Sequence, residues 1–461
     1  MNRLARLAGL ALLSLAAALP ARAESLADTM VAAYRHSALI EQNRAVLRAA
    51  DEDVAASIAA LRPVVEWVAR HSAQRIEGGS TVRSTSMALN ASLTLYDFGR
   101  SQLAIDGAKE QVLATRQALV GVEQDVLLTA TQAYFRILEA LEQVSLQQNS
   151  VEVLGRTRQA AQDRFDVGEI TVTDVALADS QLAATRAALA AANGQLEIAR
   201  EAYLAITGRR AGTLDAPPPL PSLPPSVDEA RMIAQRSHPA ILQAQRQTAA
   251  AEIAVAAAAA ERNPVLSGTA GIGIDRAPRA VLGGNSSNQN TASVGLELSQ
   301  TLYSGGRLSA SHRRAMAQRD QARAALLNTA RQINQTVGEA WANIGVARAQ
   351  ITALDEQVGA AQQAYEGVRE EALLGARTTL DVLDAEQTLL EARADRVTAQ
   401  SNLQLAHYQL LSAMGLLTVE NLNLGIPTYD PSQYYKAVRS APYTSKQGES
   451  LDRVLRAIGR N

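Results

Sequence analysis

The chain repeats itself. The stretch Gly375-Ala376-Arg377-Thr378-Thr379-Leu380-Asp381-Val382 has an earlier counterpart, Gly168-Glu169-Ile170-Thr171-Val172-Thr173-Asp174-Val175, 207 residues upstream. Other pairs keep the same order: His36 with His238, Pro63 with Pro264, Tyr96 with Tyr303, Tyr134 with Trp341, and Gly208 with Gly415. A duplicated unit folds twice along similar lines and then packs against its own copy. The copies read as 24–212 and 226–425, joined by a Pro-rich linker at 213–225 that should be stiff and extended. Residues 426–461 fall outside the repeat as a Tyr- and Pro-containing tail with a short amphipathic piece at 451–458.

Each copy predicts the same elements. A helix over 25–61 is capped by Ser25 and closed by Pro63, and one over 227–262 is bounded by Ser226 and Pro264. Strand-like runs follow near 64–75 and 265–276, and again at 87–95 and 292–298. In the second pair apolar Met87, Leu89, Ala91, Leu93 and Leu95 alternate with Ala88, Asn90, Ser92 and Thr94, as Val294, Leu296 and Leu298 alternate with Gly295, Glu297 and Ser299. That period of two suits a strand with lipid on one side and water on the other. Gly/Ser/Asn loops at 77–80 and 277–290 join the strands of each pair.

A long helix comes next. Ile333, Val337, Ala340, Ile344, Ala347, Ile351, Leu354, Val358, Ala361, Tyr365 and Val368 follow a 4-3 spacing, and nine of the eleven positions 207 residues earlier are also apolar. A sustained 4-3 repeat implies a coiled-coil seam, and Ala in that seam lets helix axes approach closely. A helix over 99–165 would run about 100 Å. The return helix, from 174 to about 208, covers half of that, and the helix at 25–61 makes up the other half. Gly168 and Gly375 are then the tight turns, supplying positive φ, with Thr173 and Thr379 as N-cap or first-turn residues of the return helices. At the strand-to-helix junctions stand Tyr96, Phe98 and Gly99 in one copy and Tyr303 and Gly306 in the other, the aromatics suited to a membrane edge. Four strands cannot close a barrel, and open edges do not sit in lipid. Three chains would pool twelve strands.

Composition narrows the functions. Met-Asn-Arg, an apolar run and Ala21-Arg22-Ala23 read as a secretory leader over 1–23, so the mature chain is expected to start at Glu24. Without Arg3, Arg6 and Arg22 the formal charge moves from −2 to −5, which gives no reason to expect nucleic acid. There is no Cys, and aromatics are only 3%. His36, His71, His238, His312 and His407 lack metal-ligand spacing. No nucleotide loop, nucleophile elbow or zinc-protease motif occurs, so neither a cofactor nor an enzyme is expected.

The duplicated unit resembles the TolC-type outer-membrane factors over nearly the whole mature chain, nearest to those of type I secretion. The likeness is carried by Arg164-Phe165-Asp166-Val167-Gly168 with Thr173-Asp174-Val175, by Gly375-x-Arg377-Thr378-x-x-Asp381-Val382-Leu383-Asp384-Ala385, and by the Tyr-x-x-Gly-Arg junctions. It implies a mainly α fold with a β-barrel portion: a homotrimeric helical tunnel in the periplasm, topped by a twelve-stranded barrel, four strands per chain, in outer-membrane lipid. The partners implied are a periplasmic adaptor (membrane fusion) protein and an inner-membrane transporter of the ABC type, with substrate conducted passively. The resemblance also assigns residues. Asp381 and Asp384 match acidic rings at the periplasmic entrance, and Asp174 and Arg377 match a latch between neighbouring hairpins. Ala372 stands where that latch has a Tyr in the archetype. Gly168, Glu169, Gly375 and Ala376 are the turn residues expected to meet the adaptor. Two other readings stay open: the duct of a small-molecule multidrug efflux pump, and a soluble periplasmic coiled-coil adaptor or scaffold.

Overall fold

The computed structural model describes residues 23–75, 81–277, 287–427, 429–440, 450 and 453. The expected leader up to residue 22, the 77–80 loop, most of the 277–290 loop and nearly all of the 451–458 piece lie outside them.

Nine helices and four strands are present among the described residues. The helices are α1 (Leu26–His36), α2 (Ala38–Ala59), α3 (Arg100–Asp166), α4 (Val172–Thr207), α5 (Val227–Ser237), α6 (Pro239–Ala260), α7 (Arg307–Leu373), α8 (Thr379–Ala413) and α9 (Pro431–Val438). The strands are β1 (Val64–Arg75), β2 (Thr81–Tyr96), β3 (Val265–Ala277) and β4 (Ser287–Ser299). Both long helices hold 67 residues, the length read from the sequence. The first helix of each copy, read as continuous, is in fact two. Pro239 has no N–H and holds His238 extended at ψ 123°, where the His side chain accepts from the Ala240 N–H as an N-cap. Ser37 breaks the other copy at ψ 110° without a proline.

The chain divides into two compact units, each drawing on both sequence copies. One comprises 1–40, 122–235 and 333–427. Its core gathers Met30, Ala130, Tyr134, Val337, Ile344 and Leu410, all nearly or fully buried, and Ala130, Val337 and Ile344 are seam positions of the two long helices. Tyr134 Oη donates to the Asp215 carbonyl at 2.8 Å, and Leu214 and Leu223 of the linker pack on the cluster. Backbone bonds tie the linker to the chain start: Glu24 N–H to Thr213 O at 2.8 Å and Asp215 N–H to Glu24 O at 3.0 Å. Gly208 closes α4 at φ 75°, and a Cβ there would lie 2.5 Å from the His36 ring, so backbone and packing both demand glycine.

The other unit comprises 41–121, 236–332 and 428–461. It carries the strands and corrects the expected fold class. The strands form one open antiparallel sheet, ordered β1-β2-β3-β4, with β1 and β4 at its edges. It is not closed into a barrel. The twelve-strand count assumed strands from other copies, and this chain's own hydrogen bonding supplies four.

The register explains the alternation. Directly paired residues share a face of an antiparallel sheet. Trp67 pairs with Leu89, Leu89 with Ile272, and Ile272 with Ala292, while Val65, Ala91, Ala270 and Val294 form the next row. The opposite face is polar, as in the row Glu66, Asn90, Gly271 and Ser293. Among the described residues nothing covers the apolar face: Trp67 is 66% exposed and Val294 90%. In the same unit Leu47, Val54 and Val112 form a small core under Tyr429 and Tyr435 of the tail.

Candidate functional site

The two turns have one construction. Gly168 has φ 81° and Gly375 φ 80°, the left-handed conformation expected of a turn glycine. In the first turn the Gly168 N–H reaches Phe165 O and the Glu169 N–H reaches Arg164 O, both at 2.9 Å. In the second, Gly375 and Ala376 bond back to Ala372 O at 3.1 Å and Glu371 O at 2.9 Å. These paired bonds satisfy the last carbonyls of α3 and α7. A Cβ at either glycine would meet open space, so the backbone angle alone selects glycine.

The return helices start from capping boxes. Thr171 and Thr378 are the N-caps, and Thr173 and Thr379 fall inside the first turn. The Asp381 carboxylate accepts from the Thr378 N–H and Oγ1–H, each at 2.9 Å, and the Asp174 carboxylate accepts from Thr171 at 3.0 and 2.7 Å. Hydrogen bonds from Thr378 hold the Asp381 carboxyl below the usual carboxylate range, and those from Thr171 do the same for Asp174. Asp384 lies one turn on and is exposed, its carbonyl accepting from Thr388 Oγ1 at 2.9 Å.

The structure does not join Asp174 to Arg377 within a chain. Arg377 Nε donates to Glu371 Oε2 at 2.8 Å, and Arg164 Nε to Glu169 Oε2 at 3.1 Å, so each turn carries its own ion pair. Ala372 is buried and lines a groove of 420 Å³ with Arg156, Arg164, Tyr365, Arg369 and Val382. At the junctions, Tyr96 and Phe98 meet edge-on at 4.6 Å, Gly99 and Gly306 have φ 85° and 90°, and Tyr303 is 88% exposed. Phe98 itself takes φ 54°, where the other copy has Gly305.

Three features lay outside the sequence reading. Gln181 of α4 donates to Gln387 of α8 at 3.1 Å, linking the two return helices. Arg158 of α3 donates to Asp179 of α4 at 2.8 Å. At the matching positions of the second copy stand Tyr365 and Glu386, and Glu386 is buried, with Oε2 lacking any hydrogen-bond partner. The signal was available: Arg158 interrupts an apolar seam, and Asp179 faces it across the turn. Among the described residues no group of His, Asp and Glu could hold a metal ion, and no helix is long and apolar enough to cross a membrane.

The profile of the outer membrane efflux protein family matches residues 30–209 and 232–416, one stretch in each copy. The chain belongs to this family. It is 31% identical to outer membrane efflux protein BepC of Brucella suis biovar 1 over 91% of both chains. It is 26% identical to outer membrane protein TolC of Escherichia coli K12 over 72% of each. The crystal structure of CusC superposes with a TM-score of 0.74 at 22% identity, covering 85% of this chain and 92% of that one, a likeness of fold. The chain is therefore an outer-membrane channel of tripartite export in Gram-negative bacteria, with a periplasm-facing domain. It acts as an oligomer and is a conduit without catalysis.

Proposed function

We propose that this channel is a homotrimer serving type I secretion, passing a secreted protein from an ABC-type inner-membrane transporter and its periplasmic adaptor to the outside. The observation that supports it most is the second turn. Gly375 and the Thr378 cap lead into α8, and Asp381 in its first turn and Asp384 one turn on follow at a spacing of three residues, which puts them on one helix face. Threefold symmetry would multiply those two carboxylates to six around one axis, and crowded like charges attract cations and constrict a pore. In this reading Asp381 and Asp384 line the periplasmic entrance. Asp174 and Arg377 would meet between neighbouring chains, exchanging their partners within one chain. Gly168, Glu169, Gly375 and Ala376 would meet the adaptor. The apolar sheet face of Trp67, Leu89, Ile272 and Val294 would meet outer-membrane lipid, with Tyr96, Phe98, Gly99, Tyr303 and Gly306 at its edge. The boundaries 24–212, 213–225, 226–425 and 426–461 remain our division of the mature chain, consistent with the two matched stretches.

A second reading, efflux of small molecules, is favoured by the word efflux in the names of the family and of BepC. Crosslinking through Cys placed at Glu169 or Ala376, in a chain with no other Cys, followed by identification of the captured proteins, tests both. An adaptor with an ABC transporter supports type I secretion. An adaptor with a proton-driven pump selects efflux, and no adaptor at either position contradicts the turn assignment.

A further inference from the structure

The two hairpins differ at one matched pair of positions. In the first hairpin Arg158 and Asp179 form an ion pair between α3 and α4. In the second, α7 and α8 present Tyr365 and Glu386 instead, so the acid is kept and its cation is missing. Glu386 is 6% exposed, and its Oε2 has no partner. An ionised carboxylate without a cation is costly in such a place, and a neutral acid much less so.

Among the described residues no cation forms an ion pair with Glu386. On α7, Tyr365 lies within electrostatic reach of Glu386 and also of Arg369, and of Arg156 on α3. Arg156 pairs with Glu152 of its own helix at 3.8 Å. No ion pair joins Glu386 to either arginine among the described residues. On α4 the residue reaching α8 at this level is Gln181, bonded to Gln387. On α8 itself the nearest charge toward the turn is the exposed Asp384, another acid.

We propose that Glu386 makes the packing of the second hairpin proton-dependent, whereas the first hairpin is fastened by its Arg158–Asp179 pair. Burial pushes the Glu386 carboxyl up from 4.5 to about 7. The sign follows from linkage: the packed state holds its proton to higher pH than a state with Glu386 in water. Packing is therefore strongest below pH 4.5 and weakens as pH rises through about 7. A shift of that size biases packed against loosened hairpin on the order of a hundredfold. That loosening widens the channel entrance rests on the reading given under the proposed function.

Spin labels on Gln363→Cys in α7 and Thr388→Cys in α8 of the full-length protein, diluted with unlabelled chains, would measure the hairpin directly. The expected result is a distance distribution that broadens between pH 5.5 and 8.5 with a midpoint near 7. Glu386→Gln should remove that dependence, and Tyr365→Arg, which copies the first hairpin, should hold the narrow distribution at high pH. A distribution independent of pH in the unmodified hairpin, or an unchanged dependence in Glu386→Gln, overturns the proposal. Conductance measured on the same samples separates the two claims. A hairpin that moves through Glu386 while conductance stays constant supports the proton link and contradicts the assignment of this turn to the entrance.

Discussion

Thr378 and Asp381 show how one residue serves two ends. Asp381 caps the backbone of α8 from its first turn, so the residue proposed to line the entrance is also fixed in place by its own helix. Removing the Thr378 hydroxyl should loosen that start. Thr378→Ala is expected to cost about 1 kcal/mol locally, seen as faster amide exchange over 378–384 with the rest unchanged. Gly375→Ala should cost about as much or more, because its φ is 80° and a Cβ is disfavoured there although space is open. Equal exchange in either variant would contradict the capping account. The turn glycines and the pair Asp174 and Asp381 were legible in the sequence because the repeat displays each twice, whereas the caps proved to be Thr171 and Thr378 rather than Thr173 and Thr379, since neighbouring threonines at a helix start look alike in sequence. The bonding of Asp174 to Thr171 and of Arg377 to Glu371 was not legible, because both depend on which rotamer a charged side chain takes at an exposed turn.

At the scale of elements, the seam read from 4-3 spacing is the seam that packs: Ile137, Val144, Val337 and Ile344 are all buried. Ile344→Ala should cost roughly 2–5 kcal/mol, measurable as a lower denaturation midpoint. A loss under 1 kcal/mol would place the core elsewhere. The breaks at Ser37 and His238 escaped the pattern, since apolar periodicity continues across them and only the backbone of His238-Pro239 announces one. The tail was also illegible. Its segment 429–438 docks with Arg116 over the Tyr435 ring at 5.5 Å, Arg44 over the Tyr429 ring at 4.8 Å, and Tyr434 Oη donating to Glu52 at 2.6 Å. In the same unit, Asp51 is fully buried with neither carboxylate oxygen hydrogen-bonded. Burial pushes Asp51 up to about 6, against a downward pull from Arg116, while Glu52 adds a smaller push upward. The folded value is raised, so the stability it confers is complete below 3.8 and falls as pH rises through about 6. Amide exchange of 431–438 should be slower at pH 5 than at pH 8 after correction for intrinsic rates, and Asp51→Asn should abolish the difference. A difference that persists in Asp51→Asn would assign it to other groups.

For the whole molecule, the duplication and family were readable, and the expected closed barrel was not what the chain forms. Alternation in β2 and β4 told which residues share a face, and the register of Trp67, Leu89 and Ile272 agrees. Alternation carries no information on how many strands meet or at which edge a sheet ends, and the chain forms a four-stranded open sheet. The molecule is an outer-membrane channel by family, and its central open claim is that Asp381 and Asp384 constrict the inner entrance. Single-channel recording of the purified protein in planar bilayers, beside the Asp381→Ala, Asp384→Ala double variant, tests this most directly. The account predicts higher conductance and weaker block by divalent cations in the double variant. Equal conductance and equal block in the two proteins would contradict it.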